Sequence, residues 1–110
     1  MKNLLHKIVI SPQPAYLGQQ RDQHAFAYEI TITNRADQAV RLLNRHWIIT
    51  HGDGQIEEVH GEGVVGQTPR LEPGQSFTYA SGAVIPTRSG SMSGSYEFST
   101  DSGEHFRVPI

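Results

Sequence analysis

The sequence predicts an all-β domain, an antiparallel β-sandwich of two facing sheets, on three observations. Apolar and polar residues alternate with a period of two over several short segments, which is the pattern of strands with one buried face. Glycine, proline, aspartate and asparagine cluster between these segments, where they favour turns. No segment combines a sustained 3.6-residue period with helix caps, so no helix is predicted.

Length and composition indicate a single domain. The chain has 110 residues, close to the commonest domain size, with 36% hydrophobic and 18% charged residues, which argues against disorder. A formal charge of −2 lacks the basic excess of a non-specific nucleic-acid binder, so no nucleic-acid partner is expected. Because the chain has no cysteine, it can form neither a disulfide nor a thiolate metal site.

The amino-terminal segment is a poor match for a targeting signal. His6 and Lys7 interrupt its apolar residues, whereas a signal peptide needs a continuous apolar run. No stretch approaches the roughly 18 apolar residues of a membrane span. We therefore expect a soluble cytoplasmic protein without a membrane partner.

The first predicted strands lie on either side of a polar segment. Residues 6–17 alternate loosely and are predicted as an edge strand broken at Pro12 and Pro14, because proline cannot donate to a sheet ladder. Residues 18–24 are polar and are predicted as a loop. Residues 25–33 show the clearest alternation in the chain, with aromatic and β-branched side chains on one face.

The only tryptophan, Trp47, lies in the predicted central strand, residues 39–50. Its alternation slips at Leu42–Asn44, which predicts a β-bulge. Gly52–Gly54 (Gly-Asp-Gly) is a hairpin turn, because glycine and aspartate tolerate positive φ angles. Residues 55–60 then form the returning strand.

The second half of the chain alternates strands with turns. The predicted strands span residues 76–85, 92–98 and 105–110. The predicted turns span residues 69–75, 86–91 and 101–103. Within the first of these strands, Ser81 and Gly82 predict a kink.

A tryptophan on a central strand between two sheets favours an immunoglobulin-like or fibronectin type III-like sandwich, and the missing cysteine pair argues against an antibody-type domain. The buried tyrosine hydroxyls will need hydrogen-bond partners. The predicted core residues are Phe26, Tyr28, Ile30, Ile32, Trp47, Ile49, Phe77, Tyr79, Tyr96 and Phe98.

A glycine-rich string follows the hairpin. We call it the GEGVVG loop; its residues are Gly61, Glu62, Gly63, Val64, Val65 and Gly66. A GxGxxG dinucleotide site needs a helix directly after it, but Thr68, Pro69 and further strands follow here. A nest of backbone amides could still hold an anion, although Glu62 opposes this.

The two adjacent valines of this loop predict its role. On an extended backbone Val64 and Val65 face opposite ways, so one can enter the core while the other lies near the surface. An exposed apolar side chain in a shaped loop is typical of a protein-contact site. We therefore predict that the GEGVVG loop contacts a protein and binds pyrophosphate or nucleotide negligibly.

Candidate catalytic and metal-binding residues do not form a recognised pattern. His46 and His60 are predicted to lie near each other across the hairpin, but the six histidines include no HExxH string and no pair two residues apart, so no metal site is predicted. Glu57 and Glu58 are adjacent on a strand and face opposite sides, so they cannot act as an acid–base couple. Without a GxSxG elbow either, the sequence predicts a protein that is not an enzyme.

Several segments together resemble the bacterial ApaG family. They are Leu42–Thr50 (LLNRHWIIT), the Gly-Asp-Gly turn, Val59–Gly66 (VHGEGVVG), Leu71–Gly74 (LEPG), Ser81–Ala83 (SGA) and Met92–Tyr96 (MSGSY). The similarity runs from about His24 to Ile110. Family chains usually continue past the last strand with a short apolar tail, whereas this sequence stops at Ile110.

The resemblance implies a single ApaG domain over residues 1–110 with a fibronectin type III-like sandwich fold. It also implies a small cytoplasmic protein linked to cobalt and magnesium resistance and to the gene neighbourhood of diadenosine-tetraphosphate hydrolase. In larger eukaryotic proteins the same domain is taken as a protein-interaction module, and its glycine string has invited a nucleotide-binding proposal.

Residues and resemblance together predict a non-enzymatic binding module with no cofactor, which contacts an unidentified protein partner. The alternative is a small-ligand binder that takes phosphate, pyrophosphate or a divalent metal through the GEGVVG loop. No residue pattern specifies the oligomeric state.

Overall fold

The computed structural model describes residues 7–110, and within this range it is all strand, turn and irregular backbone, with no helix. The predicted all-β class is confirmed. The predicted start of the first strand at His6 lies outside the described residues. The eight strands are β1 (Ile8–Gln20), β2 (Gln23–Asn34), β3 (Val40–His51), β4 (Ile56–Glu62), β5 (Arg70–Leu71), β6 (Ser76–Ile85), β7 (Gly90–Thr100) and β8 (His105–Pro109).

The strands form two antiparallel sheets. One sheet has three strands in the order β1-β2-β6, and the other has the order β4-β3-β7-β8 with β5 paired to one end of β3. Side chains of both sheets meet in one buried cluster, so the predicted sandwich is confirmed. The hydroxyl groups of Tyr79 and Tyr96 are 2.5 Å apart and join the two sheets by a hydrogen bond in the core. Burial raises the pKa of both phenols, so this hydrogen bond persists over the physiological pH range.

Most of the predicted core is buried. The confirmed residues are Ile30, Ile32, Trp47, Ile49, Tyr79, Tyr96 and Phe98, with Tyr28 and Phe77 packed against them. Phe26 is the exception, because its half-buried ring does not pack against the core cluster; it contacts Tyr16 and lines an apolar cavity of about 310 Å³ between the sheets. The core also contains residues that alternation alone did not single out: Ile8, Val40, Leu42, Val64, Leu71 and Val108.

Two predictions about the first strand are wrong. β1 runs unbroken through Pro12 and Pro14, which pair with Ile30 and Tyr28, and its irregularity lies later, between Tyr16 and Gly18. An edge strand pairs on one side only, so a proline fits wherever its missing N–H would point to solvent. The predicted loop 18–24 is therefore mostly strand.

The predicted bulge in β3 is confirmed, but the predicted kink in β6 is wrong. The register between β3 and β7 shifts between Leu42 and Asn44. In contrast, β6 pairs with β2 without a shift, and Gly82 lies opposite Ala27. A Cβ atom on Gly82 would lie 2.9 Å from the carbonyl oxygen of Phe26. The glycine thus allows a close backbone approach and does not bend the strand.

Candidate functional site

The GEGVVG loop is the continuation of edge strand β4, which ends at Glu62. The Gly63 amide donates a 2.7 Å hydrogen bond to the Leu43 carbonyl of β3. Beyond it, the amide and carbonyl groups of Val64 and Gln67 exchange two hydrogen bonds of 2.8 and 2.9 Å. The loop is therefore a tight, internally bonded turn.

Arg45 supports this turn from the inner face of the sheet. It pairs with Gly61 across the β3–β4 ladder, and its Nη1 atom donates to the carbonyl oxygens of Glu62 (3.1 Å) and Gly63 (2.9 Å). A Cβ atom on Gly61 would lie 2.7 Å from the guanidinium carbon. A side chain at residue 61 would therefore have to displace the Arg45 guanidinium from this position.

The conformation of Gly63 also has a steric cause. Its φ angle is +64°, and a Cβ atom there would lie 2.2 Å from the carbonyl oxygen of Gln67. Gly66 has a φ angle of +80° but faces open space. Turn geometry and close packing thus account for the glycine string, and within residues 7–110 the loop is not followed by the helix that a GxGxxG dinucleotide site requires.

The prediction that the two valines divide between core and surface is confirmed. The side chain of Val64 is fully buried in the core cluster, whereas Val65 is 54% exposed. Val65 also has a φ angle of +44°, in the left-handed region that a β-branched residue rarely adopts. This conformation costs about 1–2 kcal/mol. An exposed apolar side chain is therefore held at the loop tip on a strained backbone.

The opposite, outer face of the same hairpin carries a cluster of titratable side chains. His46 and His60 are directly opposed in the ladder, and their rings stack with centroids 4.1 Å apart, which confirms their predicted proximity. The Nε2 atom of each histidine lies 3.3 Å from Oε2 of Glu58. Hydrogen bonds from His46, the larger contributor, and from His60 hold the pKa of the Glu58 carboxyl below its usual range.

The sequence analysis missed Glu58 as a member of this cluster. Glu58 and His60 are two residues apart on one strand, so they share a face, and this spacing was the available signal. The third member, His46, joins only through the cross-strand register. The expected separation of the carboxylates is confirmed, because Glu57 lies 3.2 Å from the buried His51 while Glu58 binds the outer histidines.

A polar depression of about 410 Å³ adjoins the histidine pair on this outer face. Glu97 lines it and accepts hydrogen bonds from Asn44 (2.7 Å) and His105 (3.2 Å). These two hydrogen bonds, with Asn44 contributing more, lower the pKa of the Glu97 carboxyl. Arg107 lines the same depression and lies 3.4 Å from the Ser95 hydroxyl. The outer face is thus polar and of mixed charge.

The described chain, residues 7–110, includes no helix that could span a membrane. Its fold and site define a small antiparallel β-sandwich domain with a structured glycine-rich loop at a sheet edge. The family model for the ApaG domain matches residues 14–100 of this sequence, and the chain belongs to this family.

Relatives and solved structures agree with this family over nearly the whole chain. Protein ApaG of Pseudomonas putida is 48% identical over 114 residues, an alignment that covers 100% of this chain and 90% of the relative. An X-ray structure of a structural-genomics target superimposes with a TM-score of 0.94 at 42% identity, covering 98% of this chain and 85% of the other. The crystal structure of the putative ApaA protein of Bordetella pertussis superimposes with a TM-score of 0.90 at 42% identity. The alignment covers 94% of this chain and 87% of the other.

Proposed function

We propose that this chain is a non-enzymatic protein-binding module of the cytoplasm and that the GEGVVG loop forms part of its contact surface. The observation that carries the proposal is the placement of Val65, which is exposed and apolar on a left-handed backbone. Folding alone would favour asparagine or glycine at this position, since either tolerates positive φ with less strain. A binding role is a reason for a valine there.

The surroundings of Val65 suit a protein contact. β4 is an edge strand, so one side of its backbone is open to pairing with another chain. The same strand exposes Ile56 and Val59. Meanwhile Arg45 and the Val64–Gln67 bridge hold the loop in one shape, which reduces the entropy lost when a partner binds.

The alternative, an anion site in the loop, finds less support. The amides of Gly63, Val64 and Gln67 already donate to backbone carbonyls. The Arg45 guanidinium is directed at two carbonyl oxygens of the loop. The carboxylate of Glu62 adds negative charge beside any phosphate. We therefore expect no saturable binding of ATP or pyrophosphate in calorimetry.

Site-specific photocrosslinking in cells tests the protein contact. A photoreactive amino acid at Val65 should give discrete crosslinked species, whereas the same group at Val84, which is 62% exposed on the other sheet, should not. Adding Ile56→Asp to the Val65 probe should weaken the crosslinks if the β4 edge takes part. Identical crosslinking from both positions would show random collisions and contradict the proposal.

Two parts of the proposed role need separate tests. Purified protein should not hydrolyse diadenosine tetraphosphate, and turnover that survives further purification would contradict the non-enzymatic assignment. The link to cobalt and magnesium resistance stays a prediction from the resemblance. Growth of a deletion strain in graded concentrations of each metal, with and without the restored gene, would check it.

A further inference from the structure

We propose that His46, Glu58 and His60 form a binding site for one divalent transition-metal ion of the zinc type on the outer face of the β3–β4 hairpin. Within residues 7–110, these side chains bring two imidazole nitrogens and a carboxylate oxygen within 4.8 Å of one another. The site is separate from the GEGVVG loop and does not depend on the function proposed for it.

The hairpin backbone fixes the relative positions of the three donors. His60 is the direct cross-strand partner of His46, and Glu58 is the partner of Ile48, which places Glu58 diagonally from His46 on the same face. Direct and diagonal partners on one sheet face are within reach of long side chains. The two histidine rings are nearly parallel, at 11°, and both direct Nε2 toward the Glu58 carboxylate.

The observed distances suit a tetrahedral ion. Ligand atoms about 2.1 Å from a tetrahedral centre lie about 3.4 Å from one another. Each Nε2 atom is already 3.3 Å from Oε2 of Glu58. The Glu58 and His60 side chains are 57% and 69% exposed, so they can adjust by small rotations, while His46, at 25%, is the more fixed ligand.

The donor types select the class of ion. Two imidazoles and one carboxylate match borderline ions such as Zn²⁺ and Ni²⁺, whereas Mg²⁺ prefers oxygen ligands and keeps its own waters. Three protein ligands leave at least one coordination position for water. For a neutral histidine to bind, the proton that Nε2 shares with Glu58 must move to Nδ1 of the same ring; a protonated histidine must instead release one proton to solvent.

Titration calorimetry with ZnCl₂ in a non-chelating buffer tests the site on the whole chain. We expect saturation at one ion per chain and no heat from MgCl₂. The variant His60→Gln should weaken Zn²⁺ binding by about tenfold or more. The matched control is His105→Gln, because His105 is also exposed, at 57%, and also contacts a carboxylate, Glu97. This control should bind Zn²⁺ like the unmodified chain.

A second measurement needs no variant at these positions. In proton NMR spectra, Zn²⁺ should shift the ring signals of His46 and His60 together, with saturation at one equivalent, while the His105 signals stay in place. The absence of saturable Zn²⁺ binding up to about 1 mM would overturn the proposal. Equal weakening by His60→Gln and His105→Gln, or shifts spread over all histidines, would also overturn it.

Discussion

Arg45–Gly61 and His46–His60 are neighbouring pairs of the same β3–β4 ladder, yet they face opposite sides of the sheet. On the inner side, the arginine fills the space beside the glycine and binds two loop carbonyls. On the outer side, the two histidines stack and share one exposed carboxylate. The inner pair therefore stabilises the loop, while the outer pair is accessible to solvent and ligands.

This difference explains how one short hairpin can both build a loop and present chemical groups. The Arg45 guanidinium binds two loop carbonyls, and the amides of Gly63, Val64 and Gln67 donate to backbone carbonyls, so the main feature that the loop offers a partner is its apolar tip, Val65. Substitutions on the inner side should therefore reduce stability. Substitutions on the outer side should change binding and leave stability nearly intact.

The largest effect is expected for the inner-face tryptophan. Trp47→Ala removes a buried ring that contacts Tyr28 and Tyr96, and it should lower the free energy of unfolding by about 3–5 kcal/mol. Urea unfolding followed by circular dichroism measures this loss. Trp47→Phe, as the control, should lose less because it keeps an aromatic ring. A loss below about 1 kcal/mol for alanine would contradict the assigned core.

The second-largest loss of stability is expected for a substitution at Gly63. Gly63→Ala should lower the free energy of unfolding by more than about 2 kcal/mol, because the new Cβ atom overlaps the Gln67 carbonyl and the φ angle is positive. Gly66→Ala is the matched control, since it has a positive φ angle but open space, and should lose only about 1 kcal/mol. Equal losses would show that Gly63 is not sterically constrained.

A double-mutant cycle tests the link between Arg45 and Gly61. Arg45→Met should cost about 2 kcal/mol through its lost hydrogen bonds to the loop carbonyls. Gly61→Ala should be destabilising in the unmodified chain, because the Cβ atom displaces the guanidinium, and milder in the Arg45→Met background. Additive losses would mean that the glycine is required for another reason.

At the loop tip, a substitution should increase stability, in contrast to the losses expected at Trp47, Gly63 and Arg45. Val65→Asn should raise the free energy of unfolding by about 1 kcal/mol, because asparagine tolerates the left-handed conformation and little buried surface is lost. The same substitution should weaken partner crosslinking from a probe placed at Ile56. A destabilised Val65→Asn variant would show that the valine serves folding and not contact.

The smallest effect on stability belongs to the outer pair. His60→Gln should change the free energy of unfolding by no more than about 0.5 kcal/mol, since the His60 side chain is 69% exposed. Thermal unfolding without added metal measures this. A larger loss would contradict the division between a structural inner face and a binding outer face.

The parts of this fold that were predictable are those encoded locally. The alternation of residues 25–33 predicted a strand, and the adjacent leucines before Asn44 predicted a bulge. Each signal depends only on residues of its own strand, and both predictions are confirmed. Pro12 and Pro14 were misinterpreted because their tolerance depends on the strand lying at a sheet edge. Gly82 was misinterpreted because the atom it accommodates belongs to another strand.

The candidate sites follow the same rule. The split of Val64 and Val65 was predicted correctly, but the predicted extended backbone was wrong, because Val65 has a φ angle of +44°. The meeting of His46 with Glu58 required a register that the hairpin turn and the sheet set together. The passage of Arg45 beside Gly61 likewise involves two strands, and the sequence showed Gly61 only as one of the glycines of the GEGVVG loop.

The most direct test of the division between the two faces is a titration of ¹⁵N-labelled protein with sodium pyrophosphate, followed by the amide signals of residues 61–67. Because the amides of Gly63, Val64 and Gln67 already donate to backbone carbonyls, we expect these signals to stay in place up to about 1 mM ligand, the limit of weak binding. Saturable shifts confined to the Val64, Val65 and Gly66 amides would contradict the account. They would show that the GEGVVG loop is an anion site and not an apolar contact.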